Sequence, residues 1–166
     1  KNNVSIRGNG NATILKRMFD SSVKEGVITL TSRSGCKIAN LQVDGNKTSY
    51  TNSNNYGIYL DTSSNNIVTC NTCNNNSSSG IYLYSSSNNN TVTGNTCNNN
   101  NNRGIYLGSS SDNNTVTGNT CNNNGTGIYL TSSSNNTVTG NTCNNNNSHG
   151  IYLGSSSDNN TVTGNT

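Results

Sequence analysis

The side chains able to do acid–base work are few: Asp20, Glu25, Asp44, Asp61, Asp112 and Asp158, with His149 the sole imidazole. Paired carboxylates cut glycosidic bonds when they lie ~5–9.5 Å apart, one giving a proton and the other attacking or activating water. Thiols are more numerous, at Cys36, Cys70, Cys73, Cys97, Cys121 and Cys143. The last four follow one another at 24, 24 and 22 residues, so whatever they do, they do as a column. Buried free thiols behave as small hydrophobes, an exported chain favours disulfides, and zinc needs matched pairs. Cys70-Asn71-Thr72-Cys73 has no second pair of matching spacing, so no metal site is assigned. Packing is the preferred role for the ladder Cys73, Cys97, Cys121 and Cys143. Tyr59, Tyr82, Tyr106, Tyr129 and Tyr152 also recur in phase, as a stripe that could stack on sugar rings or meet a neighbouring molecule.

These columns exist because the chain repeats. Gly-Ile-Tyr-Leu begins at Gly57, Gly80, Gly104, Gly127 and Gly150, at spacings of 23, 24, 23 and 23, and residues 104–120 and 150–166 are identical. Composition alone would read as disorder: 27% hydrophobic residues, with 40 Asn, 25 Ser and 22 Thr among 166. Disordered sequence has no reason to keep Ile, Leu, Val and Cys in phase. A stack of coils does. The repeat is too short for helical hairpin arrays, and its short alternating pieces are separated by turn-forming Asn, Ser and Gly. Period-2 alternation puts Ile81 and Leu83 on one face and Tyr82 on the other, and points Val92 inward between Thr91 and Thr93. Cys97 takes the next inward position after the Gly94-Asn95 corner.

The expected fold is therefore all-β, a right-handed parallel β-helix with coils of 22–24 residues stacked ~4.8 Å apart. Residues 57–166 form the regular repeats. Residues 1–56 are read as irregular N-terminal coils with a loop excursion over Lys16–Gly26 and a loop over Lys47–Asn55, in one continuous domain. Asn71, Asn95, Asn119, Asn141 and Asn165 share one corner, where their amides would bond up and down the stack. Asn89, Asn113, Asn135 and Asn159 are N-glycosylation sequons on another corner, although eleven sequons in all is what chance gives for this composition. Thr91/Thr93, Thr115/Thr117, Thr137/Thr139 and Thr161/Thr163 make two outward columns. They are similar to the flat threonine faces of ice-binding β-helices, and β-propensity on an exposed face selects threonine as well.

Val4-Ser5-Ile6-Arg7-Gly8-Asn9-Gly10, followed by the Gly-Ile-Tyr-Leu and Asn-Asn-Thr-Val-Thr-Gly-Asn-Thr units, resembles the right-handed parallel β-helix (pectate-lyase-like) superfamily. The nearest pattern is its NosD-like branch of carbohydrate-binding and sugar-hydrolase repeats. That resemblance implies either hydrolases with paired Asp, or lyases with Asp-held Ca²⁺ and an Arg or Lys base. Asp112 and Asp158 share a register two coils apart, about 10 Å, too far for a pair; Asp44 and Asp61 meet only if loops bring them together. Copper handling, which the branch name implies, calls for clustered His, Met or accessible Cys, whereas His149 and Met18 are far apart. The expectation is accordingly no enzyme, no cofactor and no metal.

The expected role is a non-catalytic extracellular structural repeat protein of a prokaryotic or archaeal cell surface, assembling end to end or laterally and carrying glycans. A carbohydrate-binding or carbohydrate-active module is the alternative, and ice binding through the threonines a second. A net charge of +3 without a basic stripe argues against nucleic acid. No apolar run approaches the ~20 residues of a membrane span.

Overall fold

The computed structural model describes all 166 residues. It is a right-handed parallel β-helix built of three sheets. The first, here the threonine sheet, has seven parallel strands: Ser5–Arg7, Lys37–Ala39, Ile67–Thr69, Thr91–Thr93, Thr115–Thr117, Thr137–Thr139 and Thr161–Thr163. The tyrosine sheet has six: Glu25–Thr31, Asn55–Asp61, Ile81–Tyr84, Arg103–Gly108, Thr126–Thr131 and His149–Leu153. The third, carrying the cysteines, pairs Ile14–Lys16, Gln42–Asp44 and Thr72–Asn74, then continues as single bridges through Thr96, Thr120 and Thr142. Register is in phase throughout, with Val92 beside Val68 and Val116, and Ile105 beside Ile81 and Ile128.

Successive partners Ser5, Lys37, Ile67, Thr91, Thr115, Thr137 and Thr161 define coils of 32, 30, 24, 24, 22 and 24 residues. The first two coils are longer because each carries an insertion between the cysteine and tyrosine sheets. One is a strap over residues 17–24 and the other a loop over residues 45–54. The lumen is a ladder of like side chains: Ile81, Leu83, Val92, Ile105, Leu107, Val116, Ile128, Leu130 and Val138 are fully buried. Cys73, Cys97 and Cys121 are equally sealed, and Cys143 nearly so. The core is thin, so a chain of 27% hydrophobic residues suffices to fill it.

Corners are held by polar ladders. In the expected one, Asn95 donates its backbone N–H and side-chain amide to Asn119 Oδ1 at 2.9 and 3.0 Å, and Asn119 does the same to Asn141. Two more asparagine ladders run parallel to it, through Asn66, Asn90, Asn114, Asn136 and Asn160, and through Asn76, Asn100, Asn124 and Asn146. Buried polar groups must find partners, and stacking identical amides supplies them coil after coil. At the corner before the cysteine sheet, Gly94, Gly118, Gly140 and Gly164 take φ of 60–64°, the left-handed region that favours glycine. Cys70 fills that position in its coil, exposed and free, outside the ladder.

Candidate functional site

The outer face of the tyrosine sheet is where aromatic, cationic and imidazole groups converge. Tyr59, Tyr82, Tyr106, Tyr129 and Tyr152 lie side by side in strand register, so each ring sits one coil above the last. Tyr82 and Tyr106 stack with centroids 4.3 Å apart and planes 4° from parallel; Tyr106–Tyr129 and Tyr129–Tyr152 follow at 5.2 and 5.1 Å. The stripe points away from the lumen as expected, but it is not open along its length. Tyr59 and Tyr82 are only 3% exposed, covered by Tyr56 and Tyr84, whereas Tyr152 is 40% exposed. Rings stacked at coil spacing turn their faces to one another. A sugar approaching from outside therefore meets ring edges and phenol hydroxyls, not open aromatic faces.

Beside the rings runs a second column formed by Arg103, Thr126 and His149 in register. The Arg103 guanidinium carbon lies 4.5 Å from the Tyr106 ring and 4.7 Å from the Tyr129 ring, a cation–π arrangement worth ~0.5–2 kcal/mol. His149 packs on Tyr152 at 4.7 Å, and its Nδ1 is 2.7 Å from Ser148 Oγ. Arg103 and His149 occupy the register that holds Thr126 in the coil between them. No carboxylate stands on this face in the fourth to sixth coils.

Burial raises the phenol pKa of Tyr56, Tyr59 and Tyr82 above the ordinary value of 10; Asp61 adds to the rise at Tyr59 and neighbouring phenols add at all three, while Ser78 and Arg103 partly offset it at Tyr56. A raised folded-state value means stability is complete below the unfolded pKa of ~10 and falls as pH rises past it. Ultraviolet titration at 295 nm should show these three of the eight tyrosines ionising later than the exposed ones while the fold lasts. Release of all eight in one early step would show the cluster to be open.

The other sequence-derived candidates are placed elsewhere. Asp44 lies on the cysteine sheet and Asp61 at the far end of a tyrosine-sheet strand, so the structure does not pair them. Asp112 and Asp158 belong to a corner ladder with Ser134 between them: Asp112 Oδ1 accepts the Ser134 N–H at 2.6 Å, and the Asp158 N–H reaches Ser134 Oγ at 3.1 Å. Asn89, Asn113, Asn135 and Asn159 are exposed corner residues at φ of 54–58°, each preceding a buried or half-buried ladder asparagine. The threonine columns are regular over the last four coils, then give way to Ile67, Lys37 and Ser5 on one side and Ala39 and Arg7 on the other. The Thr117 hydroxyl donates to the Thr139 carbonyl at 2.8 Å.

The description "Periplasmic copper-binding protein (NosD)" matches residues 1–166. This chain belongs to the NosD family. Its residues do not, however, form a copper site of the kind the family description suggests. Soft thiolate, thioether or imidazole donors must converge on the metal, and no three His, Cys, Asp or Glu side chains do so here. Met18 projects from the first coil's strap and His149 from the sixth coil, while the column cysteines are sealed in the lumen.

Among solved structures, this NosD-family chain is similar to the periplasmic alginate epimerase AlgG, at 26% identity and a TM-score of 0.57 over 75% of this chain and 32% of that one. It thus spans about a third of AlgG's length. A looser likeness is to the A-module of the Azotobacter vinelandii mannuronan C-5 epimerase AlgE4, at 14% identity and a TM-score of 0.47, over 92% of this chain and 66% of that one. None of the curated proteins compared with the chain matches it. The expectation of a non-enzymatic repeat is corrected by the likeness to AlgG, an alginate epimerase.

Proposed function

We propose that this NosD-family chain is a carbohydrate-active β-helix module of an exported, periplasmic compartment, holding an acidic polysaccharide along the outer face of its tyrosine sheet. The observation that carries this reading is the acid-free run of phenols Tyr106, Tyr129 and Tyr152, flanked in register by Arg103 and His149. The phenols repeat once per coil, close to the length of one sugar ring, and offer a row of hydroxyls to sugar hydroxyls. Arg103, unopposed by any carboxylate on this stretch, supplies the charge that selects a uronate over a neutral sugar. AlgG, an alginate epimerase, is the neighbour that makes a uronate polymer the favoured ligand.

The same geometry suits proton transfer next to a carboxylate. A cation beside the uronate carboxylate stabilises the charge that develops when the adjacent carbon loses its proton. In the tautomer that donates Nδ1–H to Ser148 Oγ, His149 Nε2 is free to accept that proton. The test pairs binding with product analysis. Calorimetry should find oligomannuronates bound more tightly than neutral oligomannose, with Arg103→Met weakening the acidic ligand about tenfold or more. Proton NMR of treated polymannuronate should reveal epimerised uronate residues, the lost proton being replaced from water on the opposite face of the sugar, and this change should be lost in His149→Gln while binding is kept. Equal affinity for neutral and acidic oligomers would overturn the reading.

A further inference from the structure

One ring on this face differs from the others. Tyr84 stands two residues beyond Tyr82 on the same strand, tilted 49° to Tyr82 and 32° to Tyr59. It lies outside the column and is only half-buried. Its face is covered by a cation: Lys24 Nζ lies 3.5 Å from the Tyr84 centroid and 5.6 Å from that of Tyr82. Lys24 is the last residue of the strap over residues 17–24, so its position depends on what fixes the strap.

That anchor is Arg17, whose side chain is fully buried. Its guanidinium donates to Asn55 Oδ1 at 3.1 Å and to the carbonyls of Glu25 and Tyr56 at 3.0 and 2.8 Å, while Nε has no partner. Burial lowers the Arg17 pKa, and the nearby Glu25 and Asp20 partly offset this. Asn55 is the hub: its Oδ1 also accepts the Ser21 N–H at 3.2 Å, and its amide donates to Asp20 Oδ1 at 2.6 Å. Asn54 reaches the Ser22 carbonyl at 2.9 Å. The strap is thus tied to the second coil along most of its length and delivers Lys24 to the tyrosine face. A buried cation is costly without partners, and the three carbonyl-type oxygens that hold the Arg17 guanidinium all lie on the strands beneath the strap, so Arg17 fixes one arrangement of it.

We propose that Lys24 and Tyr84 form a charge-selective end subsite of the phenol row, with Arg17 as its positioning residue, a role that rests on the acidic-polysaccharide reading above. Without ligand, the ammonium lies on the Tyr84 face. When a uronate takes that face, the ammonium moves to the sugar's carboxylate, exchanging a cation–π contact for an ion pair. A neutral sugar offers no such exchange and must displace Lys24 without return. Selectivity at this end therefore resides in a flexible lysine, and at the other end in Arg103 and His149.

Calorimetry with tetramannuronate and the neutral mannose tetramer decides the matter. In the unaltered protein the acidic tetramer should bind more tightly, and Lys24→Ala should lower the acidic-to-neutral affinity ratio about tenfold, with neutral binding equal or tighter. In NMR, the Lys24 side-chain protons should be shifted upfield by the Tyr84 ring and return to ordinary positions at saturation with the acidic tetramer. Arg17→Lys and Asp20→Asn should each reduce the upfield shift before any sugar is added. An unchanged ratio in Lys24→Ala, or an upfield shift that persists at saturation, overturns the subsite while leaving the wider reading intact. Failure of the unaltered protein to bind either tetramer overturns both.

Discussion

Asn119→Ala should destabilise the protein by about 3–5 kcal/mol, although the side chain removed is polar and small. Asn119 is 1% exposed and its side chain takes part in four hydrogen bonds. Its amide donates to the Val92 carbonyl at 2.9 Å and to Asn141 Oδ1 at 3.0 Å, and its oxygen accepts the Asn95 N–H and amide. Alanine leaves the Asn95 N–H buried without a partner, at a cost of about 1–3 kcal/mol, and strips the side-chain donor from the Val92 carbonyl and from Asn141 Oδ1. Asn119→Asp separates hydrogen bonding from packing, because it keeps the shape but loses the donor. A carboxylate oxygen would then face the Val92 carbonyl and Asn141 Oδ1, so the loss at neutral pH should exceed that of alanine. Burial raises the pKa of such a carboxyl, and below that pKa the protonated form donates again, so part of the stability should return in mild acid. Urea denaturation provides the measurement, with Asn101→Ala as the control. Asn101 is exposed and its side chain bonds nothing, so that change should stay within about 0.5 kcal/mol. Equal effects at Asn119 and Asn101 would mean the ladders contribute nothing.

The features legible in the sequence were those written once per coil. Ile81, Leu83, Val92 and Cys97 announced the lumen because each recurs at a fixed offset, and one-residue slips would turn them to solvent. The Asn95 ladder was legible for the same reason, next to the Gly94 corner. The ladders through Asn90 and Asn100 were hidden inside asparagine runs, where neighbouring identical residues conceal which one points inward. The tyrosine column was legible as an outward stripe, yet its partial burial was not, because coil spacing lets like rings cover one another and the strap lies far away in sequence. Arg17 carried no signal at all: a single arginine in an irregular segment looks like any solvated cation. Arg103 and His149 were visible only as departures from the repeat. Those departures are where the candidate site lies, since a perfect repeat can build coils but cannot single out one coil for chemistry.

Gly104→Ala should cost at least 3 kcal/mol, and the reason is contact between coils rather than backbone freedom. A Cβ on Gly104 would sit 2.7 Å from the Gly127 carbonyl oxygen, 2.8 Å from Cys121 Cβ and 3.0 Å from Cys121 Sγ. The oxygen belongs to the backbone of the next coil and cannot rotate away. Making room means lifting one coil off the next, which loosens the Ile105–Ile128 and Leu107–Leu130 contacts in the fully buried lumen. Overpacking a dense core typically costs about 1–3 kcal/mol, and a clash with main chain belongs at or above the top of that range. Gly118→Ala provides the contrast. A Cβ there meets nothing within 4 Å, and only its φ of +62° opposes the side chain, so the cost should be about 1 kcal/mol. Cys121→Gly in the Gly104→Ala background should return only a fraction of the loss, because the Gly127 oxygen remains. Full rescue by that second change would locate the strain in the cysteine column instead, and equal costs at Gly104 and Gly118 would reduce both glycines to backbone conformation alone. The graded order, with Gly104 well above Gly118, is what ties the repeated Gly-Ile-Tyr-Leu to the cysteine ladder: the glycine is missing a side chain where the thiol column and the neighbouring coil need the space.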